Sequence, residues 1–292
     1  MEKRLVVAGV LLGVVTAAIY LVGGRRSFGY DAAATFANFV ATPSIWDAFA
    51  VSTVLPTIPL KSVASNDHVL LSLISHVIYS TTGSRSEIVY RLVPALAAGG
   101  VVGVTTSALA QRFGLLAGAA AGLFVATDPL FVENSRDLRG YSLAALGCVL
   151  ATVILTGRWT RWRLIAYALL LGLAITAQLF AGVVLLMHVA WIATRRSWPE
   201  LGQLAPAWLG AAVIGAAANA NIQIMELLQH GYPASVFYPT FPRDLVLFLV
   251  GAPVLLPVGL WLATAGLGVW ALRAQPWLWA GLAVVALVVA GL

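Results

Sequence analysis

The 292-residue chain is 61% hydrophobic and only 10% charged, with a mean hydropathy of +0.93. A water-soluble domain of that length has no core large enough to hide so much apolar side chain, so the composition excludes a soluble fold and implies several membrane crossings. A single cysteine, Cys148, excludes a disulfide framework and a cysteine-based metal site. The net charge of +6 becomes informative only when each charge is assigned to a side of the bilayer.

The first apolar run, residues 5–23, is long enough to cross a hydrocarbon core of about 30 Å at about 1.5 Å per residue. Lys3 and Arg4 precede it and no Ala-x-Ala pattern follows before Arg25, so it reads as a retained signal anchor with its N-terminus inside. Residues 24–91 then form one long outer loop. Within it, Asp31 followed by Ala-Ala-Ala-Thr-Phe offers an N-cap and a helix start, and Pro56 and Pro59 break the chain. The apolar segment 69–80 is too short to span and predicts an interfacial or re-entrant helix. Further spans are expected at 92–110, 115–127, 141–156, 164–177, 179–194, 204–222, 245–272 and 277–292. The expected fold is therefore an all-α polytopic membrane protein, a single domain over 1–292 with about nine transmembrane helices and short interfacial helices in its first outer loop.

Charge orients this arrangement. With segment 69–80 kept outside, nine basic and two acidic residues fall inside, against eight basic and nine acidic outside. That is the positive-inside tendency; counting 69–80 as a span would put the arginine-rich loops outside. The acids Asp31, Asp47, Asp67, Glu87, Asp128, Glu133, Asp137, Glu226 and Asp244 all lie on the outer side. Such a surplus is not needed for orientation, and charge near hydrocarbon marks a candidate site.

The densest such cluster is Ser135-Arg136-Asp137-Leu138-Arg139-Gly140-Tyr141, in a second outer loop. The first loop contributes Gly29-Tyr30-Asp31, Asn66-Asp67-His68-Val69 and Ser86-Glu87-Ile88-Val89-Tyr90-Arg91-Leu92-Val93-Pro94. Taken in chain order the segments resemble the GT-C superfamily of polyprenyl-phosphate-sugar-dependent glycosyltransferases, in particular the protein O-mannosyltransferase, aminoarabinose transferase and RgtA/B/C/D-like group. The resemblance covers residues 1–195 as a module with outer loop 24–91, leaving 196–292 as additional C-terminal spans. It has departures: no Pro-Pro pair follows His68, Ala32 follows Asp31 where many members have Glu, and Thr176-Ala177-Gln178 stands where Thr-His is frequent. Members are commonly longer than this chain, which fits a short, divergent or truncated member.

The resemblance implies transfer of a sugar from a polyprenyl-phosphate donor to a hydroxyl of a lipid, glycan or protein, with inversion, at the outer face of a prokaryotic plasma (inner) membrane. The chemistry has its own requirements. A lipid phosphate is already a good leaving group, so the reaction needs a base for the acceptor hydroxyl, cations for the departing phosphate and a fixed geometry. Asp31 is the candidate base, and Arg91, Arg139 and Arg136 are candidate phosphate ligands, since a guanidinium fork donates two hydrogen bonds at once. Asp137, Tyr141, Glu87, Asp67 and His68 are candidate substrate contacts or supports.

Each residue also has a plainer role open to it. Asp31 can be only a helix N-cap, Asp137 and Arg139 an ion pair at a span entrance, and Arg91 a snorkelling side chain. No cofactor is required; a divalent ion is allowed, with Asp31 and Asp137 as its oxygen ligands. Expected partners are the lipid-linked donor, its acceptor and membrane lipids, with no nucleic acid. The other reading from sequence is a catalytically silent GT-C-like or transporter-like protein that binds or carries lipid-linked glycans.

Overall fold

The computed structural model describes residues 2–23, 27–49, 66, 68–194 and 198–228, and every regular element among them is helical. The spans expected at 245–272 and 277–292, the breaks at Pro56 and Pro59, and Asp67 lie outside the described residues. Helix α1 (Glu2–Gly23) has 22 residues and no internal breaker, giving about 33 Å of apolar rod. A 6-residue α2 (Tyr30–Thr35) runs into a π-helical turn, Phe36–Val40, and a 3-10 turn follows at Ile45–Phe49. Helix α3 (Val69–Thr82) has 14 residues, about 21 Å, which is short of a crossing. It packs on the two turns, and the Val40 carbonyl lies 3.0 Å from His76 Nδ1.

Helix α4 (Glu87–Phe113) is the longest of the first half at 27 residues. It begins five residues before the expected span, so Glu87 and Arg91 occupy its first turns rather than the loop ahead of it. Gly114, at φ 93°, closes it and reverses the chain in a conformation that favours glycine. Helix α5 (Leu115–Thr127) follows and bends by 63° into α6 (Pro129–Ser135). The bend has a local cause: a residue before proline is driven extended, and Asp128 at ψ 120° then caps α6 by accepting from Phe131 N at 2.7 Å. The remaining helices are α7 (Tyr141–Leu155), α8 (Arg161–Ala177), α9 (Gly182–Thr194) and α10 (Trp198–Leu228), with a 3-10 turn, Leu179–Ala181, between α8 and α9.

Among the described residues three helices are long and apolar enough to cross a membrane: Lys3–Gly23, Glu87–Phe113 and Leu201–Ala220. The bent pair α5–α6 makes a fourth if taken as one span. The regular structure of the described residues is thus all helical, with several helices long and apolar enough to span, as in a membrane protein. Helices α5, α7, α8 and α9 follow the expected bounds to within three residues, yet with 13, 15, 17 and 13 residues each falls short of a full crossing. Polar or flexible residues at Asp128, Gly140, Thr160 and Gln178 stop them early.

Lipid supplies little hydrophobic drive between helices, so close packing of small residues has to hold them. Helices α1 and α4 meet backbone to backbone, with Gly9 and Gly13 facing Gly103 and Gly99. A Cβ on Gly13 would lie 2.4 Å from the Gly99 carbonyl oxygen. Gly118 and Gly122 seat α5 on Thr106 and Ala110 of α4, and Gly147 seats α7 on Leu170 and Ala174 of α8.

Candidate functional site

One end of the bundle gathers the close of α1, the start of α4, the α6–α7 loop and the close of α8. Leu138 explains how. Its side chain is fully buried in a cluster with Ala32, Val40, Leu71 and Tyr90, and a tight turn, in which Arg139 N donates to the Asp137 carbonyl at 2.9 Å, holds it there. Burying Leu138 beside Ala32 brings the residues on either side of the leucine, Asp137 and Arg139, against Asp31.

Arg139 lies between two carboxylates. Its guanidinium donates from Nη2 to Asp31 Oδ2, and its Nε is 3.8 Å from Asp137 Oδ2. Its Cζ is 6.0 Å from the Tyr141 ring centre. Burial alone would lower the arginine's pKa; the hydrogen bond with Tyr141 and the charge of Asp31, followed by the charges of Tyr141 and Asp137, outweigh that and raise it. The cation is therefore permanent. Asp137 Oδ1 accepts from Leu138 N at 3.0 Å, which fixes that carboxylate in the turn. The Asp31 side chain remains 64% exposed, so Oδ1 is open to an incoming group while Oδ2 is held.

Asp31 is not the N-cap that the sequence suggests. Gly29 holds that position, α2 begins at Tyr30, and no side-chain cap bond forms there. Placed one residue inside the helix, the Asp31 carboxylate still complements the positive end of the helix dipole, and its side chain is free to cross to Arg139. Asp137 stands over the same turn, where a Cβ on Gly29 would sit 3.4 Å from Asp137 Oδ2.

The three candidate phosphate arginines have different partners. Arg91 is buried and bridges to Glu87 at 3.2 Å; Glu87 Oε2 also accepts from Phe28 N at 3.0 Å, and the Arg91 guanidinium lies 5.1 Å over the Phe28 ring. Arg136 turns the other way, 5.4 Å over the Tyr20 ring and against Gly23 at the close of α1. Among the described residues Arg136 has no carboxylate within the 4.0 Å ion-pair distance. Residues 136 and 139 thus leave the turn toward different partners, while Leu138 between them points into the core.

His68 belongs to an adjoining polar junction. Its backbone N–H donates to Asn66 Oδ1 at 3.1 Å, and Asn66 Nδ2 donates to the Ala48 carbonyl at 2.6 Å. Its Nδ1 lies 3.3 Å from the Ala177 carbonyl oxygen, and its ring meets Tyr141 edge-on at 5.1 Å. Gly140 is needed here, since a Cβ would fall 2.1 Å from that same carbonyl oxygen. The break at Gln178 was expected between the spans 164–177 and 179–194, but Asn66 and the Ala177 carbonyl were not read from sequence as parts of the site. The available signal was Gln178, a lone polar residue between two apolar runs.

The other outer acids serve local structure or lie apart. Asp47 Oδ2 accepts from Ser44 N at 3.3 Å within its own turn, Asp128 caps α6, and Glu133 is exposed. Asp244 and the Glu226 side chain lie outside the described residues. Among the described residues no three His, Cys, Asp or Glu side chains converge on one point, and the Arg139 guanidinium lies between the two carboxylates offered to a divalent ion. What the arrangement provides is an accessible carboxylate oxygen, a fixed cation beside it and a second cation, Arg136, at the close of α1. Comparison of the chain with protein-family models, with curated proteins and with solved structures finds no match.

Proposed function

We propose that the chain is a membrane glycosyltransferase of GT-C type that moves a sugar from a polyprenyl-phosphate donor to a hydroxyl acceptor of a lipid, glycan or protein. In this reading about nine spans cross a prokaryotic plasma membrane as a single domain, and the charged end faces outside, toward the cell envelope. The observation that carries it is the junction of Asp31 with Arg139, two residues 108 positions apart that belong to the two outer segments in which such a reaction requires a base and a cation.

The proposed step is a single displacement. Asp31 Oδ1 takes the acceptor's proton, the acceptor oxygen bonds to the anomeric carbon from the face opposite the phosphate, and the bond from that carbon to the phosphate oxygen breaks. The electron pair leaves with polyprenyl phosphate, and the configuration inverts. Arg139 holds the Asp31 carboxylate in line rather than binding phosphate, because its charge is already met by Asp31 and Asp137. Arg136, with no carboxylate partner among the described residues, is the better phosphate ligand, and the Tyr20 ring and the close of α1 position it. Tyr141 and His68 orient the acceptor side, with the Ala177 carbonyl fixing the imidazole.

The matched charges also suit the second reading, a protein that binds or carries lipid-linked glycans without cleaving them, because Arg91 and Arg139 both already meet the protein's own carboxylates. One experiment separates them. The protein, reconstituted in vesicles, is incubated with a panel of polyprenyl-phosphate-linked sugars and a lipid or glycan hydroxyl acceptor, and released polyprenyl phosphate is measured. Release that depends on acceptor, with a raised donor KM in Arg136→Gln, supports the transferase; saturable donor binding with no release supports the carrier.

A further inference from the structure

Away from the charged end, one histidine joins four helices. His188 of α9 is buried, with Nδ1 2.8 Å from the Tyr167 hydroxyl of α8 and Nε2 3.0 Å from Thr152 Oγ1 of α7. Trp208 of α10 donates its Nε1–H to the Tyr167 oxygen at 3.1 Å, and Thr152 Oγ1 donates to the Cys148 carbonyl at 2.8 Å.

Counting protons gives this chain a direction. An indole N–H can only donate, so the Tyr167 oxygen accepts and its own proton is free to donate. The neighbour placed to receive it is His188 Nδ1, which therefore carries no hydrogen. Nε2 then carries the proton and donates to Thr152, whose hydroxyl passes its own on to Cys148. The opposite tautomer would strand the Tyr167 proton in a fully buried position, which is costly.

The location gives the chain a purpose. Tyr167 lies ten residues before Ala177 and His188 ten residues after Gln178, so their bond ties the two arms of the broken α8–α9 pair at about 15 Å from the break on either side. Among the described residues α9 otherwise makes only slight contact with α8. The titratable neighbours from the elements packed here are Tyr167 and Cys148; Arg163, one turn before Tyr167, is turned to the Ile154 carbonyl at 3.3 Å.

We infer that His188, held as the neutral Nε2–H tautomer, is a latch that fixes α9 to α7, α8 and α10 and so fixes the helix break whose Ala177 carbonyl faces His68. This does not rest on the proposed reaction. It is tested on the full chain in lipid nanodiscs labelled with nitrogen-15 histidine, the His188 signals being identified by their loss in His188→Gln. The latch requires a protonated Nε2 and an unprotonated Nδ1; an Nδ1–H form, or an even mixture of tautomers, overturns it. Tyr167→Phe should mix the tautomers and raise amide exchange along α9 about tenfold or more, with α4 unchanged. If that variant does not fold, Thr152→Val removes one hydroxyl at the far end and should raise α9 exchange to a smaller extent. Exchange along α9 unchanged in the folded variant also overturns the latch.

Discussion

Two arginines at one end of this bundle are met by carboxylates, and among the described residues none at the other end is. At one end Arg139 is shared between Asp31 and Asp137, and Arg91 is bonded to Glu87. At the other, among the described residues, Arg112, Arg158, Arg161 and Arg163 meet no carboxylate within 4.0 Å; Arg112 lies 5.8 Å over its neighbour Phe113. Exposed, unmatched arginines at a helix end cost little, because water or lipid headgroups satisfy them, and orientation needs nothing more. A matched set with a buried guanidinium is a different kind of feature. It takes side chains from α2, α4 and the α6–α7 loop, and it holds only if the fold places all of them. The difference separates charge that orients a membrane protein from charge that builds a site.

The side of the membrane that each end faces gives an all-or-none effect. With Cys148 replaced by Ala, a cysteine at exposed Glu133 should react with a membrane-impermeant thiol reagent in intact cells, and one at exposed Arg158 should not. Labelling of position 158 alone would put the matched end inside and remove it from the donor's leaflet.

The next largest effect belongs to Asp31→Asn. Asn still accepts a hydrogen bond from Arg139 but cannot take a proton, so the protein should fold, bind donor and lose about 100- to 10,000-fold in transfer rate. Transfer within about threefold of wild type would leave Asp31 as a structural partner of Arg139. Arg139→Lys keeps the charge and loses the planar fork that reaches both carboxylates. Transfer should fall about tenfold with donor KM little changed, since the residue positions the base rather than the phosphate. At the other end, Arg161→Ala should change transfer by less than about twofold and stability by less than about 0.5 kcal/mol. A large loss of transfer there would erase the distinction between the two ends.

Much of the frame was legible in the sequence because it rests on local rules. Apolar runs set most helix bounds, and the acid surplus pointed to the end where Asp31 and Arg139 meet. Three features were not legible, each for a physical reason. The direction taken by Arg136 depends on Leu138 entering a core whose other members come from α2, the π-helical turn after it, α3 and α4. The true start of α2 at Tyr30, which makes Asp31 a reaching side chain rather than a cap, lies within the error of any boundary read from composition. The His68 junction with Ala177 spans 109 positions, and although the break at Gln178 shows in the sequence, no residue pattern pairs its freed carbonyl with His68.

The most direct test of the account is an experimental structure of the protein with a polyprenyl-phosphate sugar bound in lipid nanodiscs. The phosphate is expected at Arg136 near the close of α1, with the anomeric carbon turned toward Asp31 Oδ1. Phosphate density among Arg112, Arg158 and Arg161, with the Asp31 end empty, would contradict it.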